Sequence, residues 1–345
     1  MEENMTLISG FESLEYQQNV LSFLLFWTSL SHAVFLYATP IGVLINFLHF
    51  LVLTRRNLRS NVIFELLIGI CVFNILDHLL AFKKELDPIF QNPNYCAGYG
   101  SFLSTVFSVL CQYMRQISTT VSRFLVAILG SIQISNLPFQ GNPWLEKTPK
   151  SSTVTYTILT VTVITSFWYY VSMFYKQSIR VLRPTDICFD VKNISGMNRD
   201  EQFTIDQFHT EYQEVFELVV DIESAMQLML PSVYLVLVIV LVKFRSYGEK
   251  SLTSLVLTLV IINLVLDIPA LIIKKVLPFF PITFMELAAC SLVAISIKDY
   301  IELLFLSTQI LICLAFSSEY RSALLGVFKR KPKSQRVIVR DLNST

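Results

Sequence analysis

Charged side chains are scarce in this chain. They make up 15% of its 345 residues, whereas a soluble globular domain usually carries about 25%. Apolar side chains account for 53% and are gathered in long runs, a pattern typical of a membrane protein. The formal net charge is only +1, and no strongly basic region stands out. This argues against a nucleic acid as the partner.

Motifs of catalysis and metal binding are also missing. The chain has no HExxH helix, no phosphate-binding loop, no nucleophile elbow and no paired-carboxylate site. Metal-ligand spacing is absent among its histidines, His32, His49, His78 and His209. We therefore predict that the protein is not an enzyme and has no metal and no cofactor. A signal peptide of the usual form is lacking too, since acidic Glu2 and Glu3 stand where a positive n-region is expected.

Seven apolar stretches are long enough to cross a bilayer, which takes about 20 helical residues at a rise of about 1.5 Å each. The seventh ends at Phe316, and its start is the least defined boundary. Residues 284–297 are also apolar, but they are short for a span and are followed by Lys298 and Asp299. We predict an all-α bundle of seven transmembrane helices. The first six spans cover residues 30–53, 62–82, 106–133, 153–175, 215–242 and 251–273.

Residues 318–330 predict a further helix that does not span the membrane. Apolar side chains fall on one face and basic residues stand at its end, as expected for a helix along the membrane surface. That face holds Tyr320, Leu324, Val327 and Phe328. The chain thus divides into an extracellular N-terminus (1–29), a seven-transmembrane domain (30–316) and a cytoplasmic surface helix and tail (317–345).

Lysine and arginine set the orientation. The segments 54–60, 134–152, 243–250 and 317–345 together hold fifteen of them, and the loops on the opposite side hold nine. The richer side is predicted to be cytoplasmic, with the N-terminus outside. The glycosylation acceptor patterns at Asn4 and Asn193 then both fall outside.

The same orientation places two of the six cysteines outside, Cys96 and Cys188. Disulfides persist in oxidising compartments, so these two are predicted to form a bridge. It would restrain the long loop 176–214 over a ligand mouth. Two free thiols are the alternative.

The third span carries Arg115 and Arg123 away from its ends, where a charge normally faces a protein interior or a water-filled cavity. Arg115 stands about 27 Å of helical rise above Gln133, in the outer half of the span. It is predicted to contact an anionic group of a ligand. The alternative, which does not exclude the first, is an ion pair with Glu223, Asp299 or Glu302. These three acids are predicted to belong to the ligand-binding site as well. Arg123 is deeper and is expected to pair with Asn74, Asp77 or a water cluster.

Four other residues interrupt the apolar pattern of the spans. The buried amides Asn46 and Asn74 are expected to hold neighbouring helices together, either directly or through a water network. Pro231 and Pro269 free backbone carbonyls and bend spans five and six. The bends either serve as hinges or are static.

Four stretches resemble the nematode serpentine receptors of class W, a chemoreceptor-like family related to FMRFamide-type neuropeptide receptors. The most specific is the Ser-Ser-x-Tyr-Arg ending of span seven, at 311–321. The others are the end of span three (124–133), the Asn of span one with its basic loop (43–59), and a span-two motif (68–74). The resemblance covers residues from about 30 to 329.

This resemblance implies a G-protein-coupled receptor in the plasma membrane, with sensory neurons as one setting. Its partners would be an extracellular ligand, a heterotrimeric G protein and membrane lipids. A peptide with an acidic or amidated end and a small organic odorant both fit as ligands. The pocket would lie between spans three, five, six and seven. The residues expected at the G-protein cavity are Gln133, Lys147, Lys243, Arg245, Lys250, Tyr320 and Arg321.

The chain departs from the family pattern at three places. Asn74 replaces an Asp that helps hold a sodium and water network, Gln133 replaces an Arg that gates the G-protein cavity, and residues 306–309 lack the usual Asn and His. Gln133 is then a neutral cavity contact, a mark of high basal activity, or a sign that a partner subunit is required. These departures keep an alternative open, a non-signalling seven-helix protein. A transporter is a weaker alternative, because the two halves show no internal repeat.

Overall fold

Long helices follow one another along nearly the whole described chain. The computed structural model describes residues 2–90, 99–135, 151–181, 202–206, 213–244, 250–271 and 284–328. The seven long helices are α1 (Glu2–Leu53), α2 (Val62–Phe90), α3 (Phe102–Ser135), α4 (Ser151–Lys176), α5 (Gln213–Phe244), α6 (Lys250–Leu271) and α7 (Phe284–Phe316). A shorter helix, α8 (Ser318–Phe328), and two strands, β1 (Ser178–Val181) and β2 (Phe203–Asp206), complete the described elements.

The predicted all-α bundle of seven transmembrane helices is confirmed. Helices α1 to α6 are each long and apolar enough to cross a membrane. Helix α7 is the seventh span when its two parts, Ser296–Phe305 and Ser307–Phe316, are taken together across a 43° bend. The apolar stretch that qualifies as the first span, Gln18–Leu53, includes residues before the predicted start at residue 30.

Helix α3 occupies the middle of the bundle. It packs against α2, α4, α5 and α6, while α1 packs against α2 and α7, and α6 lies between α5 and α7. The apolar core is richest where these helices approach α8, with fully buried side chains such as Phe64, Leu125, Leu129 and Leu255. Large apolar side chains cover the outside, as at Leu103 and Phe167. With no water in the bilayer core, such an apolar exterior faces lipid.

Gly130 brings α3 close to two neighbours. A Cβ at this position would lie 3.0 Å from Leu237 Cδ1 of α5 and 3.3 Å from Val260 Cγ2 of α6. We expect Gly130→Val to destabilise the protein by about 1–3 kcal/mol, because an overpacked core forces side chains off their rotamers. Thermal unfolding in detergent measures this. Gly326→Val is the matched control, since nothing lies within 4 Å of a Cβ there. Equal melting points for the two variants would contradict the close packing.

A short antiparallel hairpin, which the sequence did not predict, lies within the loop 176–214. Ser178 pairs with Asp206 and Val181 with Phe203. Phe203 also exchanges two backbone hydrogen bonds with Gly100, of 3.0 and 2.9 Å, just before α3 begins. The hairpin is therefore fastened to the start of α3 within the described residues. The predicted Cys96–Cys188 bridge and the acceptor Asn193 lie outside the described residues, and so does the side chain of Asn4.

Helix α8 begins with a side-chain cap, the Ser317 hydroxyl, which accepts a hydrogen bond of 3.1 Å from the Tyr320 amide. Tyr320 is completely buried, and its hydroxyl lies 2.6 Å from His49 Nδ1 of α1. Burial raises the pKa of this phenol, so it stays neutral. Arg321 donates to the carbonyls of Leu314 and Ala315 at the end of α7. The two residues of the Tyr-Arg pair thus fix α8 against α1 and α7.

Candidate functional site

A cavity of about 620 Å³ opens among the helices beneath the hairpin. Its described lining comes from α2, α3, α4, α5, α7 and β2, with Ile205 as the hairpin residue. Helix α6 contributes no described lining residue, although the sequence suggested that it would. Charged side chains dominate the wall: Lys83, Lys84, Asp87, Arg115, Arg123, Glu223, Lys298, Asp299 and Glu302. All four residues predicted to bind a ligand, Arg115, Glu223, Asp299 and Glu302, are in this set.

Helix α3 presents a polar stripe to the cavity. Residues three or four apart lie on one face of a helix, and at that spacing α3 supplies hydroxyl, amide and guanidinium groups. They are Ser108, Gln112, Arg115, Gln116, Thr119, Thr120 and Arg123. The stripe can therefore donate and accept hydrogen bonds along about 23 Å of helix.

Arg115 is paired with Asp77 of α2. Its Nε lies 3.2 Å from Asp77 Oδ1, and the Thr119 hydroxyl donates to the same oxygen at 3.0 Å. The Arg115 side chain is 28% exposed, whereas that of Asp77 is 8% exposed. The predicted ion-pair partners of Arg115 were therefore wrong, because Asp77 lies at its level. The ligand role of Arg115 stays a prediction.

Arg123 joins α3 to α6 and α7. Its Nη1 lies 2.8 Å from Asp267 Oδ1, and its Nη2 lies 3.1 Å from Glu302 Oε1. Lys298 bonds the other oxygen of Glu302 at 2.9 Å. The backbone carbonyl of Arg123 accepts a hydrogen bond of 2.7 Å from the Tyr234 hydroxyl of α5. The predicted pairing with Asn74 or Asp77 was wrong, and Arg123 instead ties together the helices below the cavity.

Four further charged groups of the wall, Glu223, Lys83, Asp87 and Asp299, also have partners. Glu223 accepts from Ser172 at 2.7 Å and from Lys176, both on α4. On α2, Lys83 contacts Asp87 at 2.7 Å and donates to Ser108 of α3 at 2.8 Å. Asp299 has a loose contact with Lys298, at 3.7 Å.

Of the two buried amides, Asn74 holds neighbouring helices together directly, whereas the Asn46 side chain bonds only its own helix. Asn74 donates to Gln309 Oε1 of α7 at 3.1 Å and accepts from the Ser122 hydroxyl of α3 at 2.8 Å. The Asn46 side chain donates to the Gly42 carbonyl of its own helix at 2.9 Å. The backbone carbonyl of Asn46 accepts from the Cys71 thiol of α2. Asn74 thus occupies a neutral site whose three members come from three helices.

At the end of the bundle that carries α8, Gln133 joins α3 to α6. Its Nε2 donates to the Thr253 hydroxyl at 2.9 Å, and both side chains are buried. Lys243 and Lys250 are exposed at the neighbouring ends of α5 and α6. Lys147 and Arg245 lie outside the described residues.

Both predicted bend positions lie inside helices. Helix α5 continues through Pro231. Pro269 lies near the end of α6, and its side chain is outside the described residues.

Sequence reasoning missed several members of the site. Asp267 carried a usable signal, because an acidic residue inside an apolar span is rare and marks a pathway or a pair. Lys298 carried the same signal, but it was used only to mark the end of the apolar run 284–297. Thr253 carried none, since a single threonine in an apolar helix is ordinary. Its partner Gln133 was chosen through the family pattern alone.

Comparison with known proteins agrees with this architecture. The family model described as serpentine type 7TM GPCR chemoreceptor Srw matches residues 32–331, which is most of the chain. This confirms the resemblance inferred from the four sequence stretches. No curated protein matches the chain significantly.

Proposed function

Because the chain belongs to the Srw family of serpentine seven-transmembrane GPCR chemoreceptors, we propose that it binds an extracellular ligand in the cavity beneath the hairpin and signals to a heterotrimeric G protein. The observation that carries this proposal is the polar cavity itself. A wall of ionised groups inside membrane-spanning helices is costly and marks a binding site or a pathway. The excess of lysine and arginine on the α8 side supports a plasma-membrane orientation with the hairpin outside.

The ion pairs offer a route from the cavity to α6. Lys298 and Glu302 line the cavity, and Glu302 shares Arg123 with Asp267 of α6. A ligand group that bonds Lys298 or Glu302 changes how Arg123 divides its contacts between α6 and α7. A ligand shifts a conformational equilibrium only through such differential contacts. We propose that this exchange releases α6.

At the end of α6 nearest α8, a contact between α6 and α3 would be broken by this release. Thr253 of α6 holds Gln133 of α3 by a single neutral hydrogen bond. Once α6 moves outward, Gln133 would be uncovered between the basic ends of α5 and α6, next to α8. We propose Gln133, Lys243, Lys250 and Arg321 as contacts of the G protein, together with Lys147 and Arg245. Tyr320, being buried, would act by holding α8 in place.

We expect Thr253→Val to raise ligand-independent signalling. Valine has nearly the shape of threonine, but it leaves the buried Gln133 amide without its partner, which disfavours the closed state. A neutral hydrogen bond contributes about 1 kcal/mol, which corresponds to about a fivefold change in the closed–open equilibrium. Basal cAMP or calcium in transfected cells, normalised to surface level, measures the effect.

Thr258→Val is the matched control for this experiment. The Thr258 hydroxyl donates to the Ser254 carbonyl of the same helix, so its loss leaves the contact between α3 and α6 intact. Equal basal signalling in the two threonine variants would show that the Gln133–Thr253 bond does not hold the receptor closed.

The function itself is tested by intracellular calcium and cAMP in cells that express the full chain. The cells are exposed to amidated peptides and to small volatile or water-soluble organic compounds, and each hit is repeated with Gln133→Arg. A dose-dependent response establishes a signalling receptor. Silence of both the native chain and Gln133→Arg, with surface expression confirmed, would instead support the second candidate.

That second candidate is a non-signalling seven-helix protein, such as a heteromer subunit or a trafficking partner. The neutral Asn74 and Gln133 favour it, because a glutamine cannot make the charge-assisted bonds of an arginine. A gain of signalling in Gln133→Arg would indicate a chain that has lost coupling.

A further inference from the structure

The charges around the cavity balance among the residues that the structure describes. Within those residues, the cavity wall and the groups bonded to it hold six cations and six carboxylates. The cations are Lys83, Lys84, Arg115, Arg123, Lys176 and Lys298, and the carboxylates are Asp77, Asp87, Glu223, Asp267, Asp299 and Glu302. A ligand with a net charge would leave one group uncompensated in a partly buried site, which is costly. The balance favours a ligand that is neutral overall.

Arg115 offers an open site for an acid. Asp77 engages only its Nε, and the two terminal nitrogens have no hydrogen bond among the described residues. The side chain faces the cavity. The two terminal nitrogens of a guanidinium match the two oxygens of a carboxylate in spacing and bind them with charge-assisted hydrogen bonds.

Asp299 offers the complementary site for a cation. Its side chain is 28% exposed and lines the cavity, and its nearest charged partner within the described part of the chain is Lys298, at 3.7 Å. Asp299 also interacts electrostatically with Arg115, so the two groups lie on the same part of the wall. An ammonium group at Asp299 and a carboxylate at Arg115 therefore belong to one compact molecule.

The rest of the wall fits such a molecule. Gln112, Gln116, Thr119 and Thr120 supply neutral donors and acceptors. A volume of about 620 Å³ is within the range of small-molecule pockets, about 300–1,000 Å³. Resting on the proposed function, we infer that the ligand is a small zwitterion with a carboxylate for Arg115 and an ammonium for Asp299. This excludes apolar odorants and amidated peptides as its principal ligands.

The test uses probes that differ by one charge. Cells that express the full chain receive the free α-amino acids and their glycyl dipeptides, each beside its carboxamide and its N-acetyl derivative, with 1-octanol as the apolar probe. The purified receptor is also melted in the presence of each probe. We expect a zwitterion to activate and to stabilise, and each derivative to be about 10- to 100-fold weaker, since each loses one charge-assisted contact.

Two variants assign the ends of the ligand. Arg115→Gln with Asp77→Asn removes a cation and an anion together, and we expect it to abolish the preference for the acid over its carboxamide. Asp299→Asn should abolish the preference for the free amine over its N-acetyl derivative. Glu85→Gln is the matched control, because Glu85 bonds His32 and does not line the cavity. A variant that is only misfolded would lose response without this change of preference.

Failure of this inference is distinct from failure of the proposed function. Activation by 1-octanol, or by a singly charged probe better than by its zwitterion, overturns the inference and leaves the receptor function standing. The same holds when no zwitterion activates or stabilises the protein while Thr253→Val signals above the native chain. Activation with equal preference in the native chain and both variants also overturns it.

Discussion

Replacing Arg123 with leucine is expected to remove most of the folded protein from the cell surface. The substitution removes from Asp267 the cation that it contacts, and it leaves Glu302 with Lys298 alone. The second oxygen of Asp267 already has no hydrogen-bond partner among the described residues. Breaking a buried pair by removing one partner costs about 3–5 kcal/mol, and here one cation serves two carboxylates. Surface staining and thermal unfolding in detergent measure the loss.

Neutralising Asp267 should restore much of the loss. In Arg123→Leu with Asp267→Asn, one cation and one carboxylate disappear together, and Glu302 keeps its contact with Lys298. Arg56→Leu is the matched control, because Arg56 is exposed in the loop between α1 and α2. If Arg123→Leu matched the Arg56 control, or if the double variant were no better than the single one, the ion-pair network would not stabilise the bundle.

The second large effect is expected from Asn74→Asp. Asn74 is buried, and its amide satisfies Gln309 while its oxygen satisfies Ser122. An aspartate places a negative charge between two neutral groups, with no cation bonded to either of them among the described residues. The penalty for a buried, unpaired ion is several kcal/mol. We expect a fall in both surface level and melting temperature.

Asn61→Asp is the matched control, since it makes the same chemical change at a position where a carboxylate is not destabilising. Asn61 caps the start of α2, where its side-chain oxygen accepts from the Ile63 amide at 3.0 Å. Asp and Asn are about equally good at this position, so stability should hardly change. Asn74→Asp could instead keep the native surface level and signal more strongly. In that case the packing would not require an amide at position 74, and the chain would be a receptor that had lost a functional acidic residue.

These two predictions describe a shift of charge within the family pattern. The neutral Asn74, Gln309 and Ser122 occupy the level below the cavity, and the ionised groups lie above them, on Arg115, Arg123 and their partners. Gln133 closes the opposite end without any charge. Signalling would thus depend on the upper ion pairs and on one neutral hydrogen bond at the α8 end.

Several features could be predicted from the sequence because they depend on local composition. Hydropathy sums over about 20 residues, so it located the seven spans. The spacing around Tyr320 gave α8, and the rarity of charge within a span singled out Arg115 and Arg123. Glu223, Asp299 and Glu302, which were singled out with Arg115, line one cavity with it, since charges within spans face the interior.

Only the tertiary structure decided which of these charges meet. Arg115 and Arg123 are eight residues apart, about 12 Å of helical rise, so a modest axial offset of α2 and α7 against α3 exchanges their partners. The sequence offered Asp77 among the partners of Arg123 and Glu302 among those of Arg115, and the structure has the reverse. The offset comes from packing along the whole length of three helices, which no local pattern records. The same holds for the bond between Gln133 and Thr253, two residues 120 positions apart.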